Sequence, residues 1–198
     1  MESEKKAAAV SRRNMAVGPW GGGGGSPWVD RSYSGVREIK LVYTSCIDSI
    51  QVLYDMNWKP FQAEKHGGNG GHQTAIVKLR YPKEFLTAVS GHYGPVVHGG
   101  GPVIRSLTLK TNQRSFGPFG VEEGTPFSFS IEGGSIVGFK GRAGWFLDAI
   151  GFRLRYPRSS SSLLGRVKQR LATMATKQLS SKNGDQQKSP TKGYKTAV

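Results

Sequence analysis

GWFLDAIGFRLRY, residues 144–156, decides the fold. Ile150, Phe152, Leu154 and Tyr156 alternate with Gly151, Arg153 and Arg155, the period of two of a strand with one buried face. One carboxylate, Asp148, stands where that strand begins, directly after a glycine-led turn. On the residues alone, an Asp in this position is most often a turn cap that bonds nearby backbone. It is also where a rigid element could hold an acid toward a ligand.

The same alternation recurs backward along the chain. Ile39, Leu41 and Tyr43 share a face of REIKLVY (37–43), and Ile50, Val52 and Tyr54 share one of SIQVLY (49–54). Val77, Leu79 and Tyr81 do so in IVKLRY (76–81), and Phe127, Phe129 and Ile131 in PFSFSI (126–131). Glycine- or proline-rich turns separate these runs, and no helical period occurs before residue 160. The pattern predicts an all-β domain over 17–156, closed or stacked as a sandwich, barrel or prism. A weak repeat runs through it. GPWGGGGG (18–25), HGGNGG (66–71) and the poorer copy HGGG (98–101) each precede a β-like run, suggesting three related sub-sheets.

Charge divides the 198 residues differently. The net charge of +15 splits into +2 over 1–16, +5 over 17–155 and +8 over 156–198. Residues 1–16 read as a disordered arm. Residues 157–198 read as a flexible basic extension, with a short helix over 163–179 from the spacing of Leu164, Val167, Leu171 and Met174. The tail is a solvated extension or a contact for an anionic membrane, an acidic protein or nucleic acid. The N-terminal stretch lacks the apolar core of a signal peptide, and no apolar run is long enough to span a bilayer. With a single cysteine, Cys46, the reading is a cytoplasmic or nuclear protein.

Several chemistries find no support. His66, His72, His92 and His98 lie in glycine loops without cysteine partners, so no metal site is expected. HGGNGG is not a P-loop, because no Lys-Ser/Thr follows. Glu122 and Glu123 adjoin in one turn and do not face each other across a cleft, as glycoside hydrolysis requires. No G-x-S-x-G occurs, and no cofactor is indicated. A non-enzymatic protein is expected.

GPWGGGGGSPW, HGGNGG, VSGHYG (89–94), SLTLKTN (106–112), GPFGVEEGTPFSF (117–129), IVGFKGRAG (136–144) and GWFLDAIG together resemble the jacalin-related lectins of plants. The motifs keep their order and spacing over residues 17–156, about 70% of the chain. The resemblance implies a β-prism: three four-stranded antiparallel sheets around a pseudo-threefold axis. It also implies a non-catalytic lectin. The family motif G-x-x-x-D falls on Gly144, Trp145, Phe146, Leu147 and Asp148. The implied roles are backbone N–H donors at Trp145 and Phe146, a two-hydroxyl grip at Asp148, and a bare approach by Gly24 and Gly25 from the other side. An ionised carboxylate suits that role because it accepts from adjacent hydroxyls in charge-assisted bonds.

In the family's galactose-binding branch the first glycine loop is cut. Here it is continuous, which resembles the mannose/glucose-binding branch. The loop departs from the commoner form, which has a non-glycine residue at its centre, and five consecutive glycines predict a flexible loop whose ordering weakens binding. Some members carry a second sugar site, which maps onto Gly70, Gly71 and Asp48. A further acid used by those members falls on Ser45. The alternative is that HGGNGG is only a turn of the prism. The resemblance further implies glycan partners, a homo-oligomer and a stress or defence role.

Overall fold

The computed structural model describes residues 15–156, within which the chain forms twelve strands and no helix. They are β1 (Met15–Gly21), β2 (Ser26–Val29), β3 (Gly35–Tyr43), β4 (Ile47–Met56), β5 (Lys59–Gly67), β6 (Gln73–Lys78), β7 (Leu86–Pro95), β8 (Pro102–Thr111), β9 (Ser115–Gly120), β10 (Thr125–Ser130), β11 (Ser135–Ala143) and β12 (Leu147–Arg155). β1 starts two residues ahead of the boundary expected at 17. The expected basic tail over 157–198, its helix over 163–179 and all but the end of the N-terminal arm lie outside the described residues.

The strands form three four-stranded sheets, ordered β1-β12-β11-β2, β5-β4-β3-β6 and β10-β7-β8-β9, with every pairing antiparallel. Each sheet has one hairpin at its centre and another hairpin supplying both edges. The first sheet takes its centre from the C-terminal hairpin and its edges from the N-terminal one, so both ends of the domain meet there.

This topology makes the repeat explicit and corrects one part of it. Gly21 pairs Ala149, Gly67 pairs Ser49 and Gly120 pairs Ser106. The edge-hairpin loops 22–25, 68–72 and 121–124 are therefore equivalents, as are the central turns 44–46, 96–101 and 144–146. HGGG (98–101) corresponds to the turn that begins GWF, not to the first two glycine loops. The third copy of those loops is VEEG (121–124), where side chains replace glycines and hide the period.

The alternating residues supply the core. Ile39, Leu41, Ile50, Val52, Tyr54, Ile150, Phe152 and Leu154 are all buried, and all belong to one cluster that also takes Leu107, Leu109 and Phe139. Trp20 of β1 stacks on Phe127 at a centroid distance of 5.6 Å and lies 5.6 Å from Phe152, tying the first sheet to the third. Strands end before the alternation does: β6 stops at Lys78 and β12 at Arg155, leaving Tyr156 half exposed.

One buried charge closes the end of the strands opposite the glycine loops. Glu84 is fully buried and accepts from Arg114 Nε at 2.8 Å, Thr111 Oγ1 at 3.1 Å and the Arg80 amide at 3.0 Å. The Arg114 hydrogen bonds, opposed by burial and aided by the Arg80 amide, hold its carboxyl at about 2, below its ordinary 4.5. The unfolded chain therefore binds this proton more readily than the native one. The stabilisation is full above about pH 4.5 and is lost as pH falls toward 2. Glu84→Gln should lower stability at neutral pH by about 2 kcal/mol. It should also flatten the loss of stability across that acid window in urea titrations. An unchanged acid slope would remove Glu84 as its source.

Candidate functional site

The turn between β11 and β12 is closed by the Gly144 amide donating to the Phe146 carbonyl at 3.0 Å. Trp145 at its tip is 86% exposed, whereas the Leu147 side chain is fully buried in the core. Leu147 can thus offer a ligand only its backbone. Asp148 follows on β12, buried, and the glycine loop covers it. A Cβ at Gly24 would lie 2.4 Å from Asp148 Oδ1, and one at Gly25 would lie 2.5 Å from Oδ2. Gly25 also has φ +58°, a conformation that favours glycine. Arg142 clamps the loop from outside, its Nε donating to the Gly24 carbonyl at 2.8 Å and its Nη2 to the Gly25 carbonyl at 2.6 Å.

The second vertex repeats this construction. The Thr44 amide donates to the Cys46 carbonyl at 3.1 Å, as Gly144 does to Phe146. The Gly68 amide donates to the Asp48 carbonyl at 3.0 Å, as the Gly22 amide does to that of Asp148 at 2.8 Å. A Cβ at Gly70 would lie 2.5 Å from Asp48 Oδ1, and one at Gly71, with φ +78°, would lie 2.7 Å from Oδ2. The structure thus brings Asp148 to Gly24, Gly25 and Gly144, and Asp48 to Gly70 and Gly71, as two equivalent constellations. Ser45 sits at the tip of the second turn, in the place of Trp145.

In both constellations the carboxylate keeps an unused acceptor. Asp148 Oδ2 and Asp48 Oδ2 are buried without a hydrogen-bond partner. A buried polar atom left unpaired is costly and calls for a reason. Burial raises the Asp148 carboxyl above its ordinary value, against the Gly144 amide and the charge of Arg142; burial raises that of Asp48, against the charge of His72. Each site offers a desolvated acceptor behind bare backbone, which suits a ligand bearing adjacent hydroxyls.

The third vertex is closed. Arg105 occupies the place of Asp148 and Asp48, its carbonyl accepting from the Val121 amide at 2.9 Å. Glu123 stands where the others have Gly24 and Gly70, and its carboxylate accepts from Arg105 Nη2 at 2.9 Å. Arg105 Nε donates to the Ser45 carbonyl at 2.9 Å, so this ion pair also braces the second turn. Nothing in the sequence singles out Arg105 or Arg142, whose contacts reach 60 and 118 residues along the chain, and Glu123 shows there only as an acid beside Glu122. Sequence reading weighs His66 only as a metal ligand. His66 stacks on Trp28 at 3.8 Å and bonds Asp30 Oδ1 at 2.9 Å, while the Tyr54 hydroxyl donates to Asp30 Oδ2 at 2.6 Å. This cluster fastens the first two sheets below their loops.

Among the described residues no three His, Cys, Asp or Glu side chains group to hold a metal. Burial, reinforced by the charge of Asp48, pushes the Cys46 thiol up to about 11, so it is protonated at neutral pH. A cavity of about 560 Å³ lined by Phe85, Ile131 and Arg155 lies at the far end of β12 from Asp148, about 23 Å of strand away.

The five-glycine run is therefore not a uniformly loose segment. A Cβ at Gly22 would lie 2.0 Å from the Pro102 carbonyl oxygen, and Gly24 and Gly25 press on Asp148, while Gly23 faces open space. Gly23→Ala should fold normally and gain up to about 0.5–1 kcal/mol by restricting the unfolded chain. Gly25→Ala should lose more than about 1 kcal/mol and distort the loop. Thermal melts of the two variants check this. Equal melting temperatures would contradict the packing of the loop.

Residues 17–153 match the family described as the Jacalin-like lectin domain. Jacalin-related lectin 19 of Arabidopsis thaliana is 60% identical over 147 residues, covering 74% of this chain and 84% of that protein. A protein of Morus indica named a galactose-specific lectin is 44% identical, covering 72% of this chain and 92% of its own length. The structure of a mannose-specific jacalin-related lectin from Morus nigra, in complex with mannose, superposes with a TM-score of 0.69 at 46% identity, covering 78% of this chain and 99% of that one. With the prism and its glycine-framed carboxylates in place, these matches make the chain a member of the jacalin-like lectin family.

Proposed function

We propose that the protein binds mannose- or glucose-type sugars at two sites per chain, one around Asp148 and one around Asp48. The observation that carries this reading is the pair of buried carboxylates, each framed by two glycines and each with its Oδ2 left without a partner. A hexose with adjacent hydroxyls supplies the missing donor to Oδ2 and a second donor to Oδ1 of the same carboxylate. Backbone N–H groups at Trp145 and Phe146 complete the first site, with no side-chain entropy to lose. Gly24 and Gly25 leave room for the ring, and the exposed Trp145 indole offers it an apolar face. The function is binding, not catalysis: each carboxylate faces glycine backbone rather than a second acid across a cleft.

The continuous loop from Gly21 to Gly25 favours mannose or glucose, as does the mannose-specific Morus nigra relative. The Morus indica protein named galactose-specific makes galactoside the informative competitor. Each site is shallow and individually weak, because its hydrogen bonds replace bonds to water. Two sites per chain, multiplied in an oligomer, would raise avidity without new contacts.

Calorimetric titration with methyl α-mannoside tests the assignment. Asp148→Ala and Asp48→Ala should each remove one site, weakening that site on the order of 100-fold while the melting temperature holds or rises, because each variant removes a buried unpaired acceptor. Full binding by the double variant, or preferential binding of methyl galactoside, would overturn it. The pH dependence has a definite sign. Because burial raises both carboxyls above 3.8, the grip is lost on acidification at a higher pH than an ordinary aspartate would give. Mannoside affinity followed downward from pH 7 should fall before pH 3.8 is reached.

A further inference from the structure

The second site has a neighbour that the other vertices lack. On the outer face of its sheet, Lys65 of β5 pairs Gln51 of β4, and Gln51 pairs Lys40 of β3. Adjacent strands lie about 4.8 Å apart, so the two lysines stand about 10 Å apart at Cα across a glutamine amide. Together with Val42, Ser49, Gly68, Asn69 and Gly70 they enclose a trough of about 220 Å³. Lys65 Nζ is held there by the Gly68 carbonyl at 3.1 Å and by the Asn69 side-chain oxygen. Both are neutral acceptors, so its charge is not cancelled. Lys40 has no polar partner among the described residues, and no carboxylate lines the trough.

The pseudo-threefold gives two internal controls. In the first sheet the corresponding places hold Lys140, Gly151 and Pro19, and the Lys140 stem lies over Gly151, where a Cβ would meet its Cε at 2.9 Å. In the third they hold Ser90, Thr108 and Pro118. Only the second sheet sets two lysines about an open trough. The wall between trough and sugar site is the bare backbone of Gly70, whose other side faces Asp48 Oδ1.

We propose that this trough is a subsite for the acidic group, a carboxylate or sulfate ester, of a saccharide whose hydroxyls are gripped by Asp48. The inference rests on the reading of Asp48 as a sugar ligand. The trough, about 220 Å³, has room for a carboxylate or sulfate group between the two ammonium groups. Gln51 and Asn69 supply amide groups beside the two ammonium charges. The second site thus favours acidic saccharides over the neutral ones that it also binds, whereas the first, with Lys140 laid down, has no such preference.

The test uses the full chain carrying Asp148→Ala, which leaves the second site alone. Methyl glucuronide and methyl mannoside 6-sulfate are titrated against their neutral counterparts, methyl glucoside and methyl mannoside. The expected result is that at least one acidic probe binds about fivefold more tightly than its counterpart near 0.05 M salt, with the gain shrinking near 0.3 M. Adding Lys40→Gln, which makes no hydrogen bond to the loop, should shrink the gain while the neutral sugars bind as before and the melting temperature holds, and adding Lys65→Gln as well should erase the gain, read as the ratio of acidic to neutral affinity. No gain for either acid, or a gain that survives loss of both lysines, overturns the subsite and leaves the Asp48 site standing. Binding of none of the four probes overturns both.

Discussion

A buried carboxylate oxygen with no partner is the constraint on which the rest of this structure turns. Desolvating an ionised acid is expensive, and proteins ordinarily satisfy it with a cation or several N–H groups. Asp148 and Asp48 are instead surrounded on their open side by glycine backbone that comes close without bonding the second oxygen. That arrangement is tolerable only on elements that cannot relax around the acid. The prism provides them. Each Asp begins a central strand whose next residue is paired on both sides, and Arg142 holds the first loop from without. Local stability is thereby given up at two vertices, and under the proposed function a ligand's hydroxyls restore it.

The third vertex shows the same backbone with its charged groups satisfied internally. Arg105 replaces the acid, Glu123 grows from the position of the bare glycine, and the two satisfy each other. One framework thus yields either an open acceptor or a closed ion pair, depending on which residue stands at two positions. The open vertices also differ from each other. Trp145 crowns the first turn and Ser45 the second, and only the second adjoins a pair of uncancelled lysines. The backbone of Gly68 packs on the carbonyl of Trp145, where a Cβ would lie 2.2 Å away, so the two sites share a wall.

Much of this was legible in the sequence, for a physical reason. Strands with one face in a common core alternate visibly, and Ile39, Leu41, Ile50, Val52, Ile150 and Phe152 lie where the alternation puts them. The first site was legible because glycine clusters and a lone acid in an apolar run are conspicuous. The third repeat was misplaced onto HGGG because VEEG keeps the geometry while discarding the glycines. The clamp by Arg142 and the brace from Arg105 to Ser45 could not be read, since they span 118 and 60 residues, and Glu123 could be seen as an acid but not as the partner of Arg105, which depends on the register of β9 on β8. The run of five glycines invited a reading of flexibility. Close approach to Pro102, Ala143 and Asp148 decides otherwise for Gly22, Gly24 and Gly25, and leaves only the central Gly23 unconstrained.

The most direct test of the account is a crystal structure of the protein with methyl α-mannoside. The account predicts a sugar at Asp148 and another at Asp48, each with adjacent hydroxyls about 2.5–2.7 Å from the two carboxylate oxygens, and none at Arg105. A sugar bound elsewhere, with both carboxylates still unpartnered, would contradict it.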